Sequence, residues 1–551
     1  MHSPPPASIP TPAARPLVVT GPPASGKTTV AAALAARLGR PFADVDEAVT
    51  REAGSSVAEL FAVEGEVGFR ARERRAFERL LVENSAGVIA TGGGTLLDSQ
   101  LRHRVLRMAH VLALDVPHAV LVARSRSGVG KRPLLDGDTA ARLASLLETR
   151  ADAYAEAHVQ VNGADDLDAV IDAAFAAIVD LERSPTLVMP IGQRSYRVHV
   201  APLSDLERRI ADLAPSARLL VTDAKVERAL GRQALSSLGE AGRVVLSGRP
   251  ARDKTLAGVR RIWDAALAAG MDRNAVLIGV GGGGITDLTG FAAATFLRGI
   301  RYVSAPTTLL AMVDASVGGK TGFDHERGKN LIGAFHQPSV VVCDPAALSS
   351  LPTRDVRAGL AEIVKIALVR DPSLLARIHD ERERLARCHL EAVAALVPGA
   401  IEAKIDVVAR DEREGGEREL LNFGHTIGHA IEQAAGRRLP HGECVAIGMR
   451  AALGLGERLG VTPRHVAQEA KGLLDALRVR KAAPPSLDEG TAQEALWADK
   501  KRRGGELRFV LLSGLGSAEV HRVPRAEATR ALRGALSTLV LSNDATNVRC
   551  P

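Results

Sequence analysis

At 551 residues, with 46% hydrophobic and 25% charged side chains, the chain is too long for one ordinary core and reads as two or three soluble globular domains. Its net charge of +7, from 71 basic and 64 acidic residues, is scattered rather than run together, and only 3% of residues are aromatic. That leaves few stacking platforms for single-stranded nucleic acid, so small anionic substrates are expected and nucleic acid is not.

No apolar run approaches the roughly 20 residues of a membrane span. The cysteines, Cys343, Cys388, Cys444 and Cys550, stand far apart with no C-x-x-C, which argues against a disulfide scaffold or a cysteine zinc site. Residues 1–15 are proline-rich without an apolar core, so they read as a disordered tail rather than a signal peptide. A cytoplasmic protein is expected.

Leu17-Val18-Val19-Thr20 reads as a strand, and it runs into Gly21-Pro22-Pro23-Ala24-Ser25-Gly26-Lys27-Thr28, a complete G-x-x-x-x-G-K-[ST] phosphate loop. A helical pattern through Ala31, Leu34 and Leu38 follows. Strand, glycine-rich turn and helix is the context in which backbone N–H groups cradle phosphates. Lys27 then reaches the outer phosphates of ATP or GTP and the Thr28 hydroxyl sits on Mg²⁺. Asp44-Val45-Asp46 ends the next apolar segment, where two carboxylates can divide roles between a metal and a substrate hydroxyl; an exposed pair of strand-end charges is the alternative. Gly65-Glu66-Val67-Gly68-Phe69-Arg70-Ala71-Arg72-Glu73 offers a fixed arginine, and Gly92-Gly93-Gly94 follows the strand Val88-Ile89-Ala90-Thr91. Another strand is expected at Val111-Leu112-Ala113-Leu114. Lys131-Arg132-Pro133-Leu134-Leu135 sits after a Gly/Ser segment suited to a mobile lid, and Arg150 precedes Tyr154.

In that order these motifs resemble shikimate kinase over residues 16–182. The resemblance implies an α/β P-loop domain with a parallel sheet and helices on both faces. ATP is then held at Gly21, Ser25, Gly26, Lys27, Thr28, Thr29 and Arg132, with Mg²⁺ at Thr28 and Asp44. Shikimate is held at Asp46, Arg70, Gly92, Gly93, Gly94 and Arg150, with Asp46 accepting the reacting hydroxyl and the two arginines gripping the carboxylate. Arg132 on the lid stabilises charge on the transferred group. Another small-molecule P-loop kinase, such as a gluconate kinase, is the alternative.

Glu182-Arg183-Ser184-Pro185 reads as a break, so a linker is expected at 183–186. A second α/β region follows over 187–345, with strands at Leu219–Thr222, Arg243–Leu246 and Val276–Val280. Residues 346–541 look mostly helical up to a strand at Phe509–Leu512, and 542–551 form a tail. Gly279-Val280-Gly281-Gly282-Gly283-Gly284-Ile285-Thr286-Asp287 runs from strand to helix and suits a dinucleotide pyrophosphate, although the usual G-x-G-x-x-G fingerprint is only partly met. Pro306-Thr307-Thr308-Leu309-Leu310 supplies hydroxyls nearby. His425 and His429, spaced i, i+4, share a helix face; His441 follows, and Glu362 is an acid in a largely apolar helical stretch. A carboxylate with two histidines leaves an open position on Zn²⁺, as in catalytic sites. Cys444 reads as a small buried thiol. Lys320, among glycines, and Lys329-Asn330 read as turns that bring cations to a phosphate.

These blocks, through Asp499-Lys500-Lys501, resemble 3-dehydroquinate synthase over residues 187–541. The resemblance implies an α/β NAD-binding part and a mostly helical metal-binding part, with Zn²⁺ (or Co²⁺) on Glu362, His425 and His441. NAD then meets Asp223, Lys254, Gly282, Gly283, Gly284, Asp287, Thr307, Thr308 and Leu310. The heptulosonate phosphate meets Arg298, Asp314, Lys320, Lys329, Asn330, Lys365, Lys404, Arg418, Asn422, His429 and one of Lys500 and Lys501; of these, Lys320, Lys365, Lys404, Arg418, Asn422 and His429 are also expected in the chemistry. Three positions depart from the family: Ala251 stands for an acidic residue, and Gly284 and Thr286 for valine and glycine.

Taken together, the resemblances imply a bifunctional enzyme of aromatic amino acid (chorismate) biosynthesis. One half phosphorylates shikimate with ATP. The other converts 3-deoxy-D-arabino-heptulosonate 7-phosphate to 3-dehydroquinate by transient oxidation, phosphate loss, hydride return, ring opening and aldol closure. A homodimer through the second half is implied as well. Rival readings of that half are another sugar phosphate cyclase or a glycerol-dehydrogenase-like enzyme, or a dead enzyme kept for scaffolding.

Overall fold

A computed structural model of the chain describes residues 15–127, 138–231, 235, 238–326, 328–436, 438–502 and 507–537, without the side chains of Pro250, Ala251 and residues 498–502. The segment expected as a lid, with Lys131 and Arg132, Cys550, most of the first tail and all of the second therefore lie outside the described residues, as do the side chains of Lys500 and Lys501. The chain divides into two compact units, residues 1–197 and 198–551.

The first unit is built on five parallel strands, β1 (Leu17–Thr20), β2 (Phe42–Asp44), β3 (Val88–Ala90), β4 (His110–Asp115) and β5 (Val159–Asn162), in the order β2-β3-β1-β4-β5. The central strands β1 and β3 read as unbroken, fully buried runs because both faces are covered. Leu17 and Val19 enter one core with Val30, Leu34 and Leu112, while Val18 enters the other with Ile89 and Phe77. Since β1 lies between β3 and β4, the chain leaves β1 and β3 in diverging directions. The crevice that opens at their carboxyl ends is where such folds take ligands.

The expected linker at 183–186 falls at the end of a helix. The helix Leu167–Arg183 is followed at once by β6 (Thr186–Met189), whose Val188 is buried in the first unit's core. The division falls within the next strand, β7 (Tyr196–Val200).

The second unit contains the parallel strands β8 (Arg218–Asp223), β9 (Gly242–Leu246), β10 (Val276–Gly281), β11 (Arg301–Pro306) and β14 (Val340–Cys343), in the order β14-β11-β10-β8-β9. Between β11 and β14 lies an antiparallel hairpin, β12 (Lys320–His325) and β13 (Gly328–Phe335), where the sequence suggests only glycine turns. The helices Thr353–Arg370, Leu390–Arg410, His425–Ala434 and His441–Arg458 then build a helical part. A second hairpin, β15 (Leu507–Gly514) with β16 (Ser517–Val523), pairs the expected strand with a partner the sequence does not announce. Among the described residues no helix is long and apolar enough to cross a membrane.

Candidate active sites

In the first unit the phosphate loop ends at Gly26, a left-handed residue (φ 84°) that caps the helix Lys27–Leu38 and turns its first amides toward the crevice. Thr28 donates from Oγ1 to Asp44 Oδ2 at 3.0 Å. The other Asp44 oxygen caps the helix Val45–Ala53, accepting from the amides of Asp46 at 2.8 Å and Glu47 at 3.2 Å. That cap swings Asp46 inward. Burial, with Asp44 and Glu73 close by, pushes the Asp46 carboxyl up to about 6 despite Lys27 and Arg70. The hydroxyl and carboxylate of Thr28 and Asp44 are the hard oxygen donors that Mg²⁺ takes.

Arg70 is held by Glu73 at 2.7 Å and Glu66 at 3.2 Å, on the helix Val57–Glu83. Glu73, 1% exposed, also accepts from Thr95 Oγ1 at 2.7 Å. The loop after β3 fits against these groups so closely that side chains are excluded. A Cβ on Gly92 would stand 2.1 Å from Glu73 Oε1, one on Gly93 would stand 2.6 Å from Arg150 Nη1, and one on Gly94 2.5 Å from the Arg70 guanidinium. Arg150 is 2% exposed, yet its Nε and Nη1 have no hydrogen-bond partner. A buried guanidinium left in that state calls for an anion. Tyr154 adds a hydroxyl that donates to the Gly93 carbonyl at 3.3 Å. Glu73 closes the segment that supplies Arg70, and Tyr154 follows Arg150 by one turn, but nothing in the sequence gives either a role of its own.

In the second unit the glycine loop follows β10 into the helix Gly283–Thr295, which Gly282 caps without a side chain. Asp223 ends the neighbouring β8 and caps its own helix, accepting from the amides of Lys225 and Val226. Thr307 donates its amide to the Gly281 carbonyl at 2.9 Å, and the Thr308 hydroxyl accepts from the Ala311 amide at 3.3 Å. Leu310 leads into the π turn Ala311–Ala315 that carries Asp314. Lys254 donates to Asp287 at 2.6 Å and also to Asn330 on β13. Open helix amides beside glycines and a strand-end aspartate suit a dinucleotide. Of the departures, Thr286 is buried with its hydroxyl donating to the Gly283 carbonyl at 3.2 Å.

The helices His425–Ala434 and His441–Arg458 cross at backbone distance; a Cβ on Gly448 would stand 1.9 Å from the Gly424 carbonyl. This crossing brings ligand atoms of His425, His429 and His441 within 4.8 Å of one another. Glu362 Oε1 lies 3.7 Å from His441 Nε2, near the roughly 3.3 Å between two ligands of one tetrahedral zinc. Lys365 ion-pairs with Glu362, but both Glu362 oxygens are buried without a formed hydrogen bond. Burial holds the His425 imidazole well below its usual range and His429 at about 4, so both are neutral, the form that binds a cation. This oxygen and nitrogen donor set fits Zn²⁺ or Co²⁺.

Beside it, Asp314, Glu362, Lys365 and Lys404 line one small cavity with Val313, Ile366 and Leu421. Lys404 donates to both the carbonyl and the carboxylate of Asp314. Buried Arg418 donates to the carbonyls of Glu412 and Gly318. Lys320 and Asn422 converge on Glu414, at 2.6 Å and 3.0 Å, and Lys329 pairs with Glu432 at 2.6 Å. Arg298 is exposed on a turn with left-handed backbone (φ 49° at Leu297 and 68° at Arg298), outside this cluster. Cys444 is buried, its thiol pushed up to about 12 by desolvation. Spacing alone does not pick out Glu414, which lies in a charged run that looks like surface. Glu432 had a signal: with His425 and His429 it makes an i, i+4, i+7 stripe on one helix face.

The chain matches the shikimate kinase family over residues 23–180, and the 3-dehydroquinate synthase N-terminal and C-terminal families over residues 245–358 and 359–502. The 3-dehydroquinate synthase of Nostoc punctiforme is 41% identical over 352 residues, which take in 62% of this chain and 97% of that protein. The structure of 2-epi-5-epi-valiolone synthase from Streptomyces hygroscopicus subsp. jinggangensis, with NAD⁺ and Zn²⁺ bound, matches with a TM-score of 0.55 at 30% identity over 62% of this chain and 95% of that one. That of 2-deoxy-scyllo-inosose synthase, complexed with carbaglucose-6-phosphate, NAD⁺ and Co²⁺, matches with a TM-score of 0.57 at 26% identity, covering 64% and 100%. The chain therefore belongs to the 3-dehydroquinate synthase family through its second unit and carries a shikimate kinase domain in its first, two enzyme activities of aromatic amino acid biosynthesis in one polypeptide.

Proposed function

We propose that each unit runs its reaction with the groups that converge in it. In the first, the carboxylate of shikimate is gripped by Arg70 and Arg150, and Asp46 receives the proton of the reacting hydroxyl. The ATP phosphates lie along Gly21, Ser25, Gly26, Lys27, Thr28 and Thr29, with Mg²⁺ held at Thr28 and Asp44 and Arg132 supplied by the lid. The buried Nε and Nη1 of Arg150, which have no hydrogen-bond partner, support this assignment, since they fit an anionic substrate. A carboxyl near 6 is a fair acceptor for a hydroxyl proton at neutral pH.

For the second unit, the reading is conversion of 3-deoxy-D-arabino-heptulosonate 7-phosphate to 3-dehydroquinate and phosphate. The observation that carries it is the meeting of a three-histidine cluster and Glu362 with Lys365, Lys404 and Arg418. A dehydrogenase acting on uncharged alcohols has no use for so many cations. Glu362, His425 and His441 would hold the metal, and Asp223, Lys254, Asp287, Thr307, Thr308, Leu310 and the glycines 282–284 would hold NAD. When bound, zinc supplies a Lewis acid for a substrate oxygen and NAD a reversible hydride acceptor. The chain's own contribution is to bind and orient. Lys320, Lys329, Asn330 and Arg298 take the phosphate, with one of Lys500 and Lys501. Asp314, Lys365, Lys404, Arg418, Asn422 and His429 fix the ring hydroxyls and carboxylate. Glu414 holds Lys320 and Asn422 in register until substrate arrives. The second unit is further proposed to form a homodimer, and the enzyme to work in the cytoplasm.

The test is phosphate release from the heptulosonate phosphate by the full-length protein, with and without NAD, before and after chelation and Zn²⁺ restoration. Release that requires both is expected. No release from a folded, zinc-loaded, NAD-saturated sample would refute the substrate assignment.

A further inference from the structure

Glu432 is a buried carboxylate, 5% exposed, one turn beyond His429. Its oxygens go to two different elements. Oε2 contacts His441 Nδ1 at 3.1 Å, at the start of the helix His441–Arg458, and Oε1 accepts from Lys329 Nζ at 2.6 Å, on β13. A carboxylate only accepts, so His441 must carry its proton on Nδ1. In the neutral ring Nε2 is then left with a free lone pair, on the side where Glu362 Oε1 lies 3.7 Å away. One side chain thus sets the tautomer of a histidine in the metal cluster and the position of a hairpin cation.

We propose that Glu432 is a positioning residue that couples the metal centre to the hairpin that anchors the substrate's phosphate. It holds His441 with Nε2 presented to the metal, and it holds Lys329 over the same site. Carboxylates behind ligating imidazoles fix the ring and raise its basicity; here the second oxygen extends that control to substrate binding. The inference rests on the assignment of Glu362, His425 and His441 as metal ligands. A glutamine at this position offers one acceptor and one donor, so only one of the two links can survive in E432Q.

The experiment uses full-length wild type, E432Q, E432D, K329M, the double variant E432Q/K329M, and H425A. Zinc affinity is read by competition with a chromophoric chelator, the Co²⁺-substituted visible spectrum reports ligand geometry, and KM and kcat for the heptulosonate phosphate are measured at saturating zinc. NAD binding at the glycine loop, which Glu432 does not touch, reports that the second unit is folded. E432Q is expected to weaken zinc by roughly 10–100-fold, to shift the Co²⁺ spectrum, and to raise KM more than it lowers kcat. E432D should recover part of each loss. K329M should raise KM while leaving zinc affinity within about twofold, and should cost less in the E432Q background than in wild type. Wild-type zinc affinity and spectrum in a folded E432Q, or independent effects of E432Q and K329M on KM, would overturn the coupling. Unchanged zinc binding in H425A would overturn the metal assignment itself, and the coupling with it.

Discussion

Lys404, from the helix Leu390–Arg410, donates to both the main-chain carbonyl and the side chain of Asp314, from the π turn Ala311–Ala315. Burial alone would raise the Asp314 carboxyl, but Lys404 and Lys365 hold it well below the usual carboxylate range. Burial in turn pushes the Lys404 ammonium from 10.5 down to about 8, against the pull of Asp314. Removing one member of such a pair strands the other charge, so K404M should destabilise the second unit by about 3 kcal/mol. The double variant K404M/D314N should lose much less than the sum of the single losses. Denaturant unfolding of the four proteins checks this, and strict additivity would contradict it.

The same pair predicts a pH dependence. Between about 8 and 10.5 the unfolded chain keeps the Lys404 proton and the folded chain does not. Stability therefore rises with pH across that window, because the unfolded state binds more protons there. Below pH 8 the penalty is fully present. Wild type should gain stability between pH 8 and 10 relative to K404M; parallel curves would contradict the assignment.

Asp46 behaves in the opposite sense. Its carboxyl is raised from 3.8 to about 6, so between those values the folded chain holds a proton that the unfolded chain has lost. Stability falls as pH rises through the window, and above 6 the full penalty stands, of order 1–3 kcal/mol. D46N removes it. The variant should unfold at a higher temperature than wild type at pH 7, with the gap closing toward pH 4, while kinase kcat falls by about 10²-fold or more. Wild-type kinase activity should also decline below about pH 6. Equal melting temperatures at pH 7 would contradict the buried position of this carboxyl.

Arg150 tests the carboxylate grip. Its two unpartnered nitrogens sit beside Gly93, where the loop leaves no room for a side chain. R150K keeps the charge and loses the fork, so KM for shikimate should rise by roughly 10-fold or more with little change in KM for ATP and none in the synthase reaction. An equal rise for both kinase substrates would instead indicate collapse of the site.

Much of this was legible because the informative residues sit where strands end. Gly21–Thr28, Asp223 and Gly281–Gly283 all follow or close buried apolar runs whose direction is plain from the sequence, and the i, i+4 spacing of His425 and His429 survives intact in a helix. The hairpin Lys320–Phe335 was not legible. Gly322 faces Gly333 across it, and a Cβ on either would stand within 2.5 Å of the opposite backbone. That close approach demands glycines, and glycines erase the alternation by which a strand is recognised. Glu414 was hidden for a different reason: it lies in a charged run, and only tertiary packing sets it between Lys320 and Asn422. The expected boundary at 183–186 falls at a helix end, and the division into compact units lies within β7 (Tyr196–Val200).

The central claim, two independent chemistries on one chain with the residues named, is tested most directly by assaying one full-length preparation for both reactions in wild type, K27A and H425A. ATP-dependent phosphorylation of shikimate should vanish in K27A alone. NAD-dependent phosphate release from the heptulosonate phosphate should vanish in H425A alone, and a zinc chelator should reproduce that second loss while sparing the kinase. Either activity surviving its own substitution, or both falling together in a folded protein, would contradict the account.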